Sequence, residues 1–174
     1  MKKMILLVLT IITLFSFTKI KEDELIIPSE AIRLRVIANS NTVEDQNIKI
    51  KVRDAVQKEI LTLSDTKSLS KTRNNIKKEI SNIDDIVKDT LKEINVDQKY
   101  DVNYGYNYFP KKKYKGVTYK EGNYESLVIT LGEGKGDNFW CVLFPPLCLL
   151  DAKDSNTDKV EYKLYIKEII DKYL

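Results

Sequence analysis

Between Ile94 and Tyr100 the apolar residues of this chain change their spacing. Before that point they recur at helical intervals: Ile48, Val52, Ala55, Val56 and Ile60, then Ile76, Ile80, Ile83, Ile86, Val87, Leu91 and Ile94. After it, Val102, Tyr104, Tyr106 and Tyr108 alternate with Asp101, Asn103, Gly105 and Asn107. The first spacing gathers apolar side chains on one stripe of a helix, and the second on one face of a strand. A chain that holds a block of each predicts helices packed against a sheet.

The elements follow from local signals. "AIRLRVIA", residues 31–38, alternates, with Ile32, Leu34, Val36 and Ala38 on one face and Arg33, Arg35 and Ile37 on the other. That pattern predicts a half-buried strand. A turn at 39–41 leads to Thr42, which with Asp45 forms a capping-box-like helix start, and the helix runs to about Leu63. A second helical stretch covers Leu69 to Ile94, as one bent helix or as two with a fresh cap at Ser81–Asn82. Residues 109–124 form a connection with turn chemistry at Lys115–Gly116 and Glu121–Gly122. Strands follow at 124–132 and 139–144, joined by "GEGKGDN", which reads as a flexible loop. A last helix spans residues 159–173. The expected fold is α+β: an N-terminal strand and helices, then a mostly antiparallel sheet and a C-terminal helix, in one domain over 31–174.

Residues 1–18 stand apart. Lys2 and Lys3 precede an apolar run over residues 4–17, and Lys19 to Glu24 turns polar. A membrane-spanning helix needs about 20 apolar residues, so this shorter run reads as a signal peptide, with an uncleaved N-terminal anchor as the alternative. Residues 19–30 read as a polar tether. Export alters the meaning of Cys141 and Cys148, the only two cysteines. Outside the cytoplasm they read as a disulfide, against two buried free thiols.

Composition removes several chemistries. The chain has no histidine, the commonest general base and metal ligand, so Ser-His and Cys-His nucleophiles are excluded. Two cysteines without histidine leave a zinc tetrahedron half empty. A net charge of +3 gives no electrostatic footprint for nucleic acid. The three glycines of "GEGKGDN" lack a Walker pattern and precede no helix. No catalytic residue, metal or cofactor is expected.

The segment "FWCVLFPPLCLLD", residues 139–151, holds the only tryptophan and both cysteines around two prolines. Trp140, Phe144, Pro145, Pro146 and Leu147 read either as a cover for the core or as a rigid apolar knob for a partner. Arg33, Arg35, Gln46 and Arg53 form a second candidate contact patch.

Three blocks together resemble the stage II sporulation protein R family. They are the N-terminal signal, "IRLRVIANSNTVEDQNIKIKVRDAV" at 32–56, and "YFPKKKYKGVTYKEGNYESLVITLGEGKGDNFWCVLFPPLC" at 108–148. The resemblance implies a non-enzymatic protein exported from the forespore into the space between the two membranes. There it is expected to trigger a membrane-embedded aspartic protease that matures pro-sigma-E in the mother cell. An exported cell-wall hydrolase or peptidoglycan-binding module is the reading from another class.

Overall fold

The computed structural model describes residues 25–26, 30–64, 68–114, 117–147 and 167–171. The expected signal at 1–18, most of the tether, Cys148 and the start of the last helix lie outside the described residues.

Helix α1 (Val43–Leu63) begins where the sequence places it. Thr42 is its N-cap, and the Thr42 hydroxyl accepts from the Asp45 amide at 3.2 Å. Helix α2 (Leu69–Lys78) starts the same way, with Ser68 accepting from the Lys71 amide at 3.3 Å. Helix α3 (Ile80–Glu93) follows a break at Glu79, so the second stretch is two helices. The break comes two residues before the expected cap and has no side-chain capping bond. Asn82 reaches back to Glu59 of α1 at 3.2 Å instead. Helix α3 ends at Asn95, whose φ of 56° places it in the left-handed region. The Asn95 amide donates to Lys92 and the Val96 amide to Leu91, the paired bonds of a Schellman motif.

The strands are β1 (Leu25–Ile26), β2 (Ile32–Ile37), β3 (Tyr100–Phe109), β4 (Lys112–Tyr114), β5 (Val117–Tyr119), β6 (Gly122–Leu131) and β7 (Asn138–Phe144). Four form one sheet in the order β3-β6-β2-β7, and three form a smaller sheet in the order β1-β5-β4. Pairs β2–β6 and β1–β5 are parallel; the other three pairs are antiparallel. The fold is α+β with a mostly antiparallel sheet, as the periodicity predicts. Two details differ. Leu25–Ile26, inside the expected tether, pairs with β5, and the expected connection at 109–124 contains the two strands β4 and β5. At the C-terminus residues 167–171 are helical.

All three helices cover one face of the larger sheet. Ile32, Leu34 and Val36 of β2 meet Leu127, Ile129 and Leu131 of β6 and Cys141 of β7 on that face. Ile48, Val52, Val56 and Ile60 of α1, Ile76 of α2, and Ile83, Val87 and Leu91 of α3 close over them. Each such buried aliphatic side chain contributes about 1.5–3 kcal/mol by leaving water. The opposite face is part-exposed at Arg35 and Ile37, as the half-buried reading of β2 expects, but Arg33 on that face is only 2% exposed.

One polar tie crosses the helix-side layer. Arg73 of α2 grips Glu125 of β6 with both arms of its fork, Nε to Oε1 and Nη2 to Oε2, each at 2.7 Å. The Tyr104 hydroxyl donates to the same carboxylate at 2.9 Å. Burial pushes the Glu125 carboxyl up, but the hydrogen bonds from Arg73 and Tyr104 and the Arg73 charge outweigh it, and its pKa lies below the ordinary value. Stability from this lowered pKa is present above the unfolded value of about 4.3 and is lost as pH falls through the folded one. Glu125→Gln is therefore expected to lower the unfolding free energy by about 2–3 kcal/mol at neutral pH, with Arg73's partial exposure already discounted. Urea titrations of both proteins at pH 7 and pH 2.5 check this, and the difference should shrink in acid.

Candidate functional site

Two loops far apart in sequence lock together at one end of the sheet. The turn Asn39-Ser40-Asn41 leaves β2, and residues 132–137 join β6 to β7. The Asn39 side-chain oxygen accepts from the Glu133 amide at 2.9 Å, and the Asn41 side-chain oxygen from the Asp137 amide at 2.6 Å. The backbone carbonyls of Asn39 and Ala38 accept from the amides of Lys135 and Gly136 at 3.0 and 2.9 Å. The turn is itself held by the start of α1. Asn39 Nδ2 donates to Asp45 at 3.0 Å, the Ser40 hydroxyl donates to the same carboxylate, and Gln46 donates to the Ser40 carbonyl at 2.9 Å. These bonds, led by the one from Ser40, hold the Asp45 carboxyl below its ordinary pKa. Lys49 completes the clasp by donating to the Asp137 carbonyl at 3.1 Å.

The glycines are the complement of this turn. A Cβ on Gly132 would run into the Asn39 side chain, and one on Gly136 into the Ser40 carbonyl. Gly132 also has φ of 56°. The expected flexible loop is thus a pinned one. Its signal in the sequence was present as the Asn-Ser-Asn turn and the spaced glycines, but their pairing across more than 90 residues is not a local pattern.

The second cluster lies on the sheet face away from the helices. Arg33 is stacked on Tyr124, with Cζ 3.3 Å from the ring centroid, and lies 5.4 Å from Phe109 and 6.0 Å from Tyr119. Arg35 lies 5.8 Å from Phe109 and 5.7 Å from Trp140. Phe109 and Trp140 meet edge-on at 5.2 Å, and Lys112 Nζ sits 4.8 Å from the Trp140 ring. Such contacts between cations and rings each stabilise by about 0.5–2 kcal/mol. They do not hydrogen-bond the guanidinium edges. Arg33 Nε, Nη1 and Nη2, Arg35 Nε and Trp140 Nε1 are buried without a hydrogen-bond partner among the described residues. Burial lowers the pKa of both arginines, and for Arg33 the neighbouring Tyr124 and Tyr119 oppose that shift.

The sequence-predicted residues divide between these places. Arg33, Arg35 and Trp140 come together on the outer face. Gln46 is part of the clasp. Arg53 lies against Phe139 at 5.1 Å, on the helix side, and pairs with Asp54. The four polar candidates therefore do not form one patch. Phe144, Pro145, Pro146 and Leu147 are all buried, the bond Phe144–Pro145 is cis, and Leu147 packs with Ala31 and Val142 beside Tyr119, Ile169 and Ile170. That stretch covers the core, and only Trp140 of the segment's named candidates is part-exposed. Cys141 is buried, and no free cysteine occurs among the described residues; Cys148 lies outside them. Among the described residues no group of three His, Cys, Asp or Glu is placed to hold a metal. Sequence reading missed Phe109, Tyr124 and Tyr119 as companions of Arg33, because alternation puts that arginine on the face away from the core.

Residues 28–154 match the family model of stage II sporulation protein R. The chain belongs to that family. A curated relative, the stage II sporulation protein R of Bacillus subtilis (strain 168), is 42% identical over 142 residues, covering 81% of this chain and 63% of the relative. The match thus spans less than two thirds of that relative's length. No solved structure matches the chain. The family span contains both the clasp and the outer-face cluster.

Gly136→Ala is expected to destabilise the fold by roughly 1–3 kcal/mol, because the new methyl displaces a backbone carbonyl from a tight turn. Lys135→Ala, whose exposed ammonium pairs only with Glu133, should change stability by less than about 0.5 kcal/mol. Thermal unfolding of the two variants separates a pinned loop from a flexible one.

Proposed function

We propose that this chain is an exported sporulation signalling protein that activates a membrane-embedded aspartic protease through a protein–protein contact. The protease then processes pro-sigma-E in the mother cell. Family membership over residues 28–154 is the observation that carries this reading. The apolar run at 4–17 supports export, either as a cleaved signal or as an anchor. The contact surface in this reading is the outer-face edge at β7, where Trp140, Arg35 and Lys112 reach the surface. The buried Phe144, Pro145, Pro146 and Leu147 act as its scaffold, and a Cys141–Cys148 disulfide closes the loop that carries them.

The buried carboxylate among the described residues fits a ligand better than a wall hydrolase. A glycosidase needs a carboxylic acid with a raised pKa beside a second carboxylate. Glu125 is the one buried carboxylate among the described residues, and its oxygens are taken by Arg73 and Tyr104. Its pKa is lowered, which is the wrong direction for a general acid. The groove of about 490 Å³ beside α1 offers a single carboxylate, Glu44, among Val43, Ile48, Lys51, Ile94 and Val96.

The test is co-expression of the candidate protease and pro-sigma-E, with and without this protein, in a host that lacks sporulation genes. Processing should require this chain; equal processing without it removes the proposal. The disulfide has its own check. Cys148→Ser should lower stability by about 2–3 kcal/mol, the entropy of a small cross-linked loop. A pair of alkylatable thiols in the exported wild-type protein, read by mass spectrometry, would show that the bridge is not made.

A further inference from the structure

We propose that Arg33, Arg35 and the Trp140 indole N–H form a built carboxylate-binding site, occupied by an acidic side chain of a partner protein. Seven buried side-chain polar atoms lack a partner among the described residues, and five of them are the donors at these three residues. Folding normally pairs buried donors, and charged ones above all. Here three residues on one face are left unpaired together, with Arg33 at 2% exposure. No ion pair among the described residues engages Arg33 or Arg35. The one buried carboxylate, Glu125, lies on the opposite face with Arg73.

The chemistry of the occupant follows from the walls. Tyr124 lies flat against the Arg33 guanidinium at 3.3 Å, so the free N–H groups point in the plane of the fork. A planar two-oxygen acceptor meets such donors side by side. Arg35 and Trp140 are part-exposed and Lys112 is exposed, so entry is from the β7 edge. Lys112, beside Trp140, extends the positive field to that entrance. The occupant that complements three cations without a local acid is an acidic peptide segment. This inference rests on the interface reading given above, but its test uses no protease, so the two fail separately.

Trp140 is the only tryptophan, which makes its fluorescence a report on the site. The purified full chain is titrated with a blocked hexaglutamate peptide, with the matching hexaglutamine peptide, and with inorganic phosphate. The glutamate peptide should change Trp140 emission saturably, and the other two should not. Arg35→Gln should weaken that binding by about tenfold or more, the worth of one charge-assisted contact. Lys88→Gln, on an exposed position of α3, should leave it unchanged. Arg33→Met should abolish binding while keeping or raising the urea midpoint, because it removes an unpaired buried charge at similar volume. A structural role for Arg33 would give the reverse, a lowered midpoint with binding intact, and would overturn the proposal. So would no saturable response in the wild type, equal response to the glutamine peptide, or tighter binding of phosphate. If Arg33→Met does not fold, Arg35→Gln decides alone.

Discussion

Strands β2 and β6 run parallel side by side, and much else follows from that pairing. Two parallel neighbours need a long crossover, and the chain between them supplies α1, α2, α3 and β3 before β6 begins. The helices of that crossover all settle on one face. On the other face of β2, Tyr119 of the smaller sheet lies beside Arg33, together with Tyr124 and Phe109. A strand written with alternate arginines is thereby buried on both sides at Arg33 and part-exposed on its outer face at Arg35 and Ile37.

That geometry sets up the main energetic tension. Arg33 is enclosed by Tyr124, Phe109 and Tyr119, which soften the cost of burying its charge but leave its donors unused. Contrast Arg73, which reaches a buried carboxylate on the helix side and is satisfied by it. The same sheet thus holds one cation whose partner is built in and one whose partner is not. The first stiffens the fold. The second is retained at a cost that a Met or Leu would avoid, which is the pattern expected of a group held for another molecule.

Much of the helical half was legible because its signals are local. Thr42 and Asp45 mark the start of α1, and the Ile48, Val52, Val56 and Ile60 stripe fixes its buried face. The alternation at 100–108 gives β3 its strand character, though the structure makes it an edge strand with Tyr106 and Tyr108 exposed. What the sequence does not show is pairing at a distance. Alternation assigns Arg33 a face but says nothing of what covers that face. The glycines of 132–136 look like freedom until Asn39 and Ser40 occupy the space their side chains would need. The helix break at Glu79 has no capping residue to announce it, since α3 is placed by its packing rather than by its start.

The segment 139–147 joins these threads, and it resolves into two parts with different duties. From Cys141 to Leu147 the side chains are buried, and this part closes the core over Ala31 and the helical residues Ile169 and Ile170. Trp140 shares the outer face with Val142, two residues on, and meets Arg35 across the β2–β7 pair, but unlike Val142 it stays part-exposed. Period two sends Cys141 and Leu143 to the helix side instead. Among the described residues β7 is also an edge strand of the larger sheet. Lys49, Arg53 and Lys112 lie near enough to one another for their charges to interact, and Arg53 and Lys112 both stand against β7 rings. Positive charge along an edge repels a second copy of the same edge and attracts an acidic one. The strand that completes the core thus also runs beside this positive charge.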